Sequence, residues 1–198
     1  MMKTIRFVQK ADAARILGIY EPYVKETAIT FEYESPSLAE MQNRIKKISA
    51  DYPYIVCLLD EKIIGYAYAH RQMERSAYQW NAELSVYVDE DYVHCGVGKA
   101  LYGALIEILK LQNIQNVYAG ITSPNENSER LHEYFGFKKL GEYHNTGYKC
   151  GAWHTVAWFE KTLGDYTLDP GPFVSIKEFD KRMLGKILDR HCTMVHFA

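Results

Sequence analysis

The residues His94-Cys95-Gly96-Val97-Gly98-Lys99 follow a strand-like run and open a helical one. A glycine-rich turn in that place can hold an anion, because the first amides of a helix lack internal acceptors and point outward. A plain structural turn accounts for a lone Gly-x-Gly equally well. Two familiar phosphate patterns are excluded. The NTPase loop needs Gly at 93 and Ser or Thr at 100, where Val93 and Ala100 stand. The dinucleotide fingerprint needs a third glycine at the position of Leu101. Ahead of the loop, Glu83 interrupts a largely apolar strand, Trp80 to Val88. A carboxylate at a cleft can take a proton directly or through one water. Farther on, His132 has a side chain that titrates near neutrality and can give or take a proton. The four cysteines, Cys57, Cys95, Cys150 and Cys192, form no CxxC pair and suggest neither a disulfide framework nor structural zinc. His191-Cys192 with His196 lacks further ligands, so no metal is expected.

The elements that must position these groups are legible in outline. Lys3 to Gln9 reads as a strand, followed by a helix capped by Asp12, with Pro22 expected to kink or shorten it. Ser37-Leu38-Ala39-Glu40 is a capping box opening a second helix. Tyr54 to Leu59 and Lys62 to Ala69 form a hairpin around Asp60-Glu61. After the strand and glycine loop, Val97, Leu101, Leu105, Ile108 and Leu109 recur at helical spacing. A short strand (Tyr118 to Ile121), a helix (about Asn127 to Phe135) and two strands (near Phe137 to Tyr148 and Trp153 to Lys161) follow. The order β-α-α-β-β-β-α-β-α-β-β implies a mixed α/β (α+β) layer fold over 1–163. Gly164 to Pro172 reads as a linker. Ser175-Ile176-Lys177-Glu178 then caps an amphipathic helix with Ile176, Phe179, Met183, Ile187 and Leu188 on one face. This extension, 164–198, is expected to cover its own core, with a partner subunit as the alternative, and its removal is expected to leave the glycine-loop site intact.

Composition narrows the classes of partner. Of 198 residues, 23 are Lys or Arg and 25 Asp or Glu, giving a net charge of -2. There is no basic excess to draw the chain to nucleic acid or an anionic membrane. No apolar run approaches the ~18 residues of a membrane span, and the early charges of the first residues do not fit a secretory signal. A cytoplasmic protein is expected.

Glu83-Leu84-Ser85-Val86-Tyr87-Val88, the loop 94–99, Asn125-x-x-Ser128, and Leu131-His132 with Gly136-Phe137 occur in an order and spacing that resemble the GNAT superfamily of N-acetyltransferases. Thr30-Phe31, Tyr52-Pro53, Gly65-Tyr66-Ala67, Ala77-Tyr78-x-Trp80 and Gly151-x-Trp153-His154 narrow the likeness to the phosphinothricin and methionine sulfoximine/sulfone N-acetyltransferase group. The resemblance covers roughly residues 4–163. It implies a mostly antiparallel mixed sheet flanked by helices, here with an extra C-terminal helix, and a homodimer.

It also implies roles. His94, Cys95, Gly96, Val97, Gly98 and Lys99 would hold the pyrophosphate of acetyl-CoA on backbone amides. Val86, Tyr87 and Val88 would pair with the pantetheine arm, and Asn125, Ser128 and Tyr134 would lie near the cofactor's other side. Val93 stands where the superfamily usually has Gln or Arg, and Tyr134 where relatives often carry Lys or Arg. Glu83 matches the catalytic base, and His132 takes the place of a Tyr thought to protonate the leaving thiol. Phe31, Arg75, Ser76, Ala77 and Tyr78 match segments that line the acceptor pocket. The expected activity is acetyl transfer from acetyl-CoA to the amine of a small amino-acid-like acceptor, by direct attack and without metal. Acetylation of a peptide or protein amine, and acyl-CoA binding without catalysis, are the alternatives.

Overall fold

The computed structural model describes residues 1–197. The chain order is β1 (Lys3–Phe7), α1 (Ala13–Glu26), α2 (Leu38–Ile48), β2 (Tyr54–Leu59), β3 (Lys62–Arg71), β4 (Asn81–Val88), α3 (Val97–Leu111), β5 (Asn116–Ser123), α4 (Glu126–Tyr134), β6 (Lys138–Lys149), β7 (Ala152–Thr162) and α5 (Lys181–Cys192). The strands form one sheet in the order β1-β2-β3-β4-β5-β7-β6. Every neighbouring pair is antiparallel except β4 and β5, which are parallel. This is the mixed fold expected from the sequence, with helices on both faces.

Burial on two sides explains the unbroken apolar run of β2. Ile55 and Cys57 point into the layer beneath α3, whereas Tyr54, Val56 and Leu58 point into the layer beneath α1 and α2. The β2–β3 hairpin closes through Asp60 and Glu61 with φ of 44° and 68°, the paired left-handed conformation of a two-residue turn whose twist matches its strands. Pro22 sits inside α1 without ending it. Asp12 does not cap α1 with its side chain. It is fixed by Arg6 and accepts the Gln9 amide at 2.7 Å.

α3 is apolar nearly all round because it is covered twice, by the sheet on one side and α5 on the other. Leu184, Ile187 and Leu188 of α5 join the same core as Leu101, Leu105 and Ile108. The glycine at 103 makes the approach possible, since a Cβ there would lie 2.7 Å from the His191 ring. Glu107 then holds both Arg190 and His191, the latter at 2.9 Å. The extension thus packs on its own domain. It differs in one respect from the sequence reading: Ser175–Glu178 forms only a short 3-10 turn, and the helix begins at Lys181 under an Asp180 cap. The capping box was a true helix-start signal spent on one turn.

Leu188 is 3% exposed, and truncating such a side chain removes both its transfer energy and its packing. Leu188→Ala should lower unfolding free energy by about 2–5 kcal/mol. Denaturant unfolding of the two proteins measures it.

Candidate active site

β4 and β5 pair only through Asn81↔Asn116, Ala82↔Val117 and Glu83↔Tyr118. Beyond that they diverge. The far edge of β4 stays paired with β3 as far as Val88, so the edge facing β5 is open from Leu84 onward. A slot of ≈ 80 Å³ fills the divergence, lined among others by Val86, Tyr87, Tyr102, Asn125, Ser128 and His132. An unpaired strand edge offers alternating N–H and C=O groups to an extended, amide-bearing chain.

At one end of the slot lies the glycine loop. Gly96 is the N-cap of α3 in the left-handed conformation, φ 77°, with no side-chain cap. The helix's first intrahelical bond is Ala100 N–H to the Gly96 carbonyl. The amides before it have no helical acceptors, and they sit at the positive end of a 15-residue helix dipole. A Cβ on Gly98 would make only ordinary contact, 3.9 Å to Leu131 and Val88. The protein itself therefore leaves room at 98, and its bare backbone serves whatever approaches from outside. Gly96 is different, because a Cβ there would strike the carbonyl oxygen of Met194. Val93 and His94 are exposed beside the loop, and Lys99 lies over the Tyr134 ring, 4.0 Å from its centroid.

Asn125 and Ser128 line the slot, but the Asn125 side chain is engaged in capping α4, accepting the Ser128 amide at 3.2 Å. One turn on, the Ser128 carbonyl receives His132 Nδ1 at 2.7 Å. A carbonyl can only accept, so Nδ1 carries the hydrogen. Burial pushes the His132 pKa down against that bond, which keeps the ring neutral. Nε2 is then an acceptor, and it receives the hydroxyl of Tyr102, 2.7 Å away. His132 is 4% exposed, with both nitrogens engaged. The hydroxyl of Tyr102, which also lines the slot, was missed in the sequence reading. It lies within an apolar helical stripe, and its polar tip was the only available signal.

Glu83 projects from the opposite face of β4 to Ala82 and Leu84, which pack into the core with α3. His70 on β3 and Tyr118 on β5 are its cross-strand partners. Burial raises the Glu83 pKa, and the positive potential of His70 partly offsets this. The carboxyl therefore holds its proton more strongly than a solvated one. His70 was also missed, since its position opposite Glu83 depends on register.

The acceptor residues divide. Tyr78 lines an open cleft of ≈ 410 Å³ with Met73, Asn81, Tyr118, Tyr143 and Trp158. Asn81 and Tyr118 share the Glu83 face of the sheet, so this cleft adjoins the carboxyl. Arg75, Ser76 and Ala77 are exposed in the preceding turn. Phe31 lies elsewhere, packed on the backbone of Gly147 with its ring 6.3 Å from that of His154. Among the described residues no cluster of three metal-ligand types occurs, and no helix is long and apolar enough to cross a membrane.

The family model of the acetyltransferase (GNAT) domain matches residues 5–158. The chain belongs to that family. As a GNAT N-acetyltransferase it is 32% identical over 168 residues to a phosphinothricin N-acetyltransferase of Streptomyces viridochromogenes, covering 85% of this chain and 90% of that protein. It is 29% identical to an L-methionine sulfoximine/L-methionine sulfone acetyltransferase of Salmonella typhimurium, over 82% of this chain and 96% of that protein. A crystal structure of a phosphinothricin acetyltransferase from Sinorhizobium meliloti, in complex with AcCoA, superposes with a TM-score of 0.83 at 34% identity. It covers 88% of this chain and 96% of that one.

The Tyr102–His132 hydrogen bond favours the neutral imidazole, because Nε2 can accept only while unprotonated. In Tyr102→Phe the His132 pKa should therefore rise toward its ordinary value, and stability should drop by about 1–3 kcal/mol for an unsatisfied buried acceptor. Histidine ring resonances followed through a pH titration, with parallel denaturant unfolding, read both effects.

Proposed function

We propose that this GNAT enzyme transfers the acetyl group of acetyl-CoA to the amine of a small amino-acid-like acceptor. The observation that carries the reading is the parallel pair β4–β5, open from Leu84 onward, with Glu83 at the last paired position and free helix amides at the other end. The loop 94–99 takes the pyrophosphate on its amides, and Val86 to Val88 pair with the pantetheine arm. The relatives named above act on phosphinothricin or methionine sulfoximine, and one binds acetyl-CoA. The cleft beside Glu83 is of a size for a small acceptor.

The acceptor amine must first lose a proton. An amine of pKa ~10.4 is neutral in about one molecule in a few thousand at pH 7, a deficit of roughly 4–5 kcal/mol. Glu83 is the base, and its raised pKa brings it nearer the working pH of a general base. The neutral amine attacks the thioester carbonyl carbon, the C–S bond breaks and CoA thiolate departs, and the nitrogen sheds its second proton to that thiolate or to water as the amide forms. A thiolate of pKa ~8.5 leaves readily. Tyr102, whose pKa burial pushes well above that of a free phenol, is a weaker acid than the thiol. It therefore does not protonate the departing sulfur, and its one hydroxyl hydrogen stays with His132 Nε2. His132, hydrogen-bonded to Tyr102 on one side and to the Ser128 carbonyl on the other, fixes α3 and α4 where they line the slot and is a positioning residue.

Two variants test this. Gly98→Val fills a site the protein leaves open, so it should fold normally and bind acetyl-CoA at least tenfold more weakly by calorimetry. Glu83→Gln should lower kcat/KM by about 10²–10⁴-fold at pH 7 with acetyl-CoA affinity kept, and recover in part as rising pH supplies neutral amine. Near-wild-type activity of Glu83→Gln at pH 7 would falsify the assignment of the base. Running both assays over a panel of amino acids and short peptides identifies the acceptor class.

A further inference from the structure

The extension beyond the matched region does more than cover the core. After α5 the chain turns at Thr193 and runs back along the outside of the glycine loop. The His196 amide donates to the Cys95 carbonyl at 2.9 Å. The Met194 carbonyl occupies the space a Cβ on Gly96 would need. Val195, between them, is fully buried, and its carbonyl accepts Lys3 Nζ at 2.5 Å. Phe197 sets its ring edge-to-face against Tyr92, 6.2 Å between centroids, on the turn that leads into the loop. Behind this, α5 is fixed to α3, the helix whose first amides the loop presents, through His191 in the space left by Gly103 and through Glu107.

These contacts share one target. Cys95 and Gly96 are held by the tail from the side away from the slot, while Gly98 is left bare toward it. A loop that binds an anion through several amides loses affinity when those amides must first be ordered, and a brace that orders them in advance removes that cost. It also follows that Gly96 is glycine for the tail's sake as well as for its left-handed φ, whereas Gly98 is glycine for the ligand's.

We propose that Met194–Phe197 is a positioning brace for the pyrophosphate loop, making acetyl-CoA affinity depend on residues outside the acetyltransferase domain. The proposal rests on the reading that the loop 94–99 holds acetyl-CoA, and its test separates the two.

The full-length chain is compared with His196→Pro, which deletes the amide donor to Cys95, and with Phe197→Ala, which deletes only a partly exposed ring. Calorimetric acetyl-CoA affinity, KM for each substrate, kcat and melting temperature are measured for all three. The brace predicts that Kd and KM for acetyl-CoA rise about tenfold in His196→Pro and about threefold in Phe197→Ala. It predicts that kcat and the acceptor KM stay within about twofold. A tail that merely stabilises the fold would lower the melting temperature and leave Kd unchanged in the folded protein, and that result overturns the proposal. Phe197→Ala alone decides the matter if His196→Pro fails to fold. Wild-type protein that does not bind acetyl-CoA overturns the underlying reading; wild-type binding matched by the folded variants overturns the brace and leaves that reading standing.

Discussion

Two parallel strands that stay together for three residue pairs set the chemistry of this protein. Parallel pairing brings β4 and β5 in from the same direction, with their ends free to separate, and α3 must then start where β4 stops. One strand edge therefore remains open, and one helix N-terminus is aimed at its end. Had β4 and β5 paired along their length, Leu84 to Val88 would have no unused amides and the slot no volume. The antiparallel pairs on either side supply the rigidity that keeps the divergence from closing: β3 holds β4 from one flank, and β7 holds β5 along its full length.

Burial acts in opposite senses on the two titratable groups of the site. It raises the carboxyl of Glu83 and lowers the imidazole of His132, in each case favouring the neutral form. The consequences for stability are opposite as well. His132 has a folded pKa below its ordinary 6.5, so the unfolded chain binds more protons as the pH falls through that value, and stability is lost on acidification. Glu83 has a folded pKa above 4.5, so stability is lost as the pH rises above it and the unfolded carboxyl ionises first. Both groups weaken the fold when they charge, a cost that a purely structural core would avoid by using apolar side chains.

Much of this was legible in the chain, for identifiable reasons. The apolar runs of β2 and β3, the stripe of α3 and the glycines at its start are local signals, and they led to the correct element order. Glu83 stood out because a carboxylate in an apolar strand is conspicuous, and His132 because it stands at the place of the family's tyrosine. What the sequence withheld was non-local. His70 opposes Glu83 only once the β3–β4 register is set, and the tyrosine at 102 becomes a partner of His132 only when α3 and α4 face each other across the slot. The acceptor residues were harder still. Tyr78 reaches the cleft while Phe31 lies against Gly147, a separation decided by the path of β6 and β7. The tail was legible as an amphipathic helix that covers its own core, but its start was placed one turn early, and nothing local announces that the residues after α5 return to the loop.

The bond between Lys3 and Val195 spans a sequence separation of 192 residues, the greatest among the side-chain hydrogen bonds described. Closing so long a loop costs chain entropy, but that cost grows slowly, by about 0.6 kcal/mol for each doubling of length. Val195 is itself part of the core shared by α3 and α5, so the run that closes the turn at Cys95 and Gly96 is anchored in that core. The helix that presents the amides is among the most deeply packed elements of the protein, yet the turn that opens it is closed by contacts drawn from both ends of the described chain.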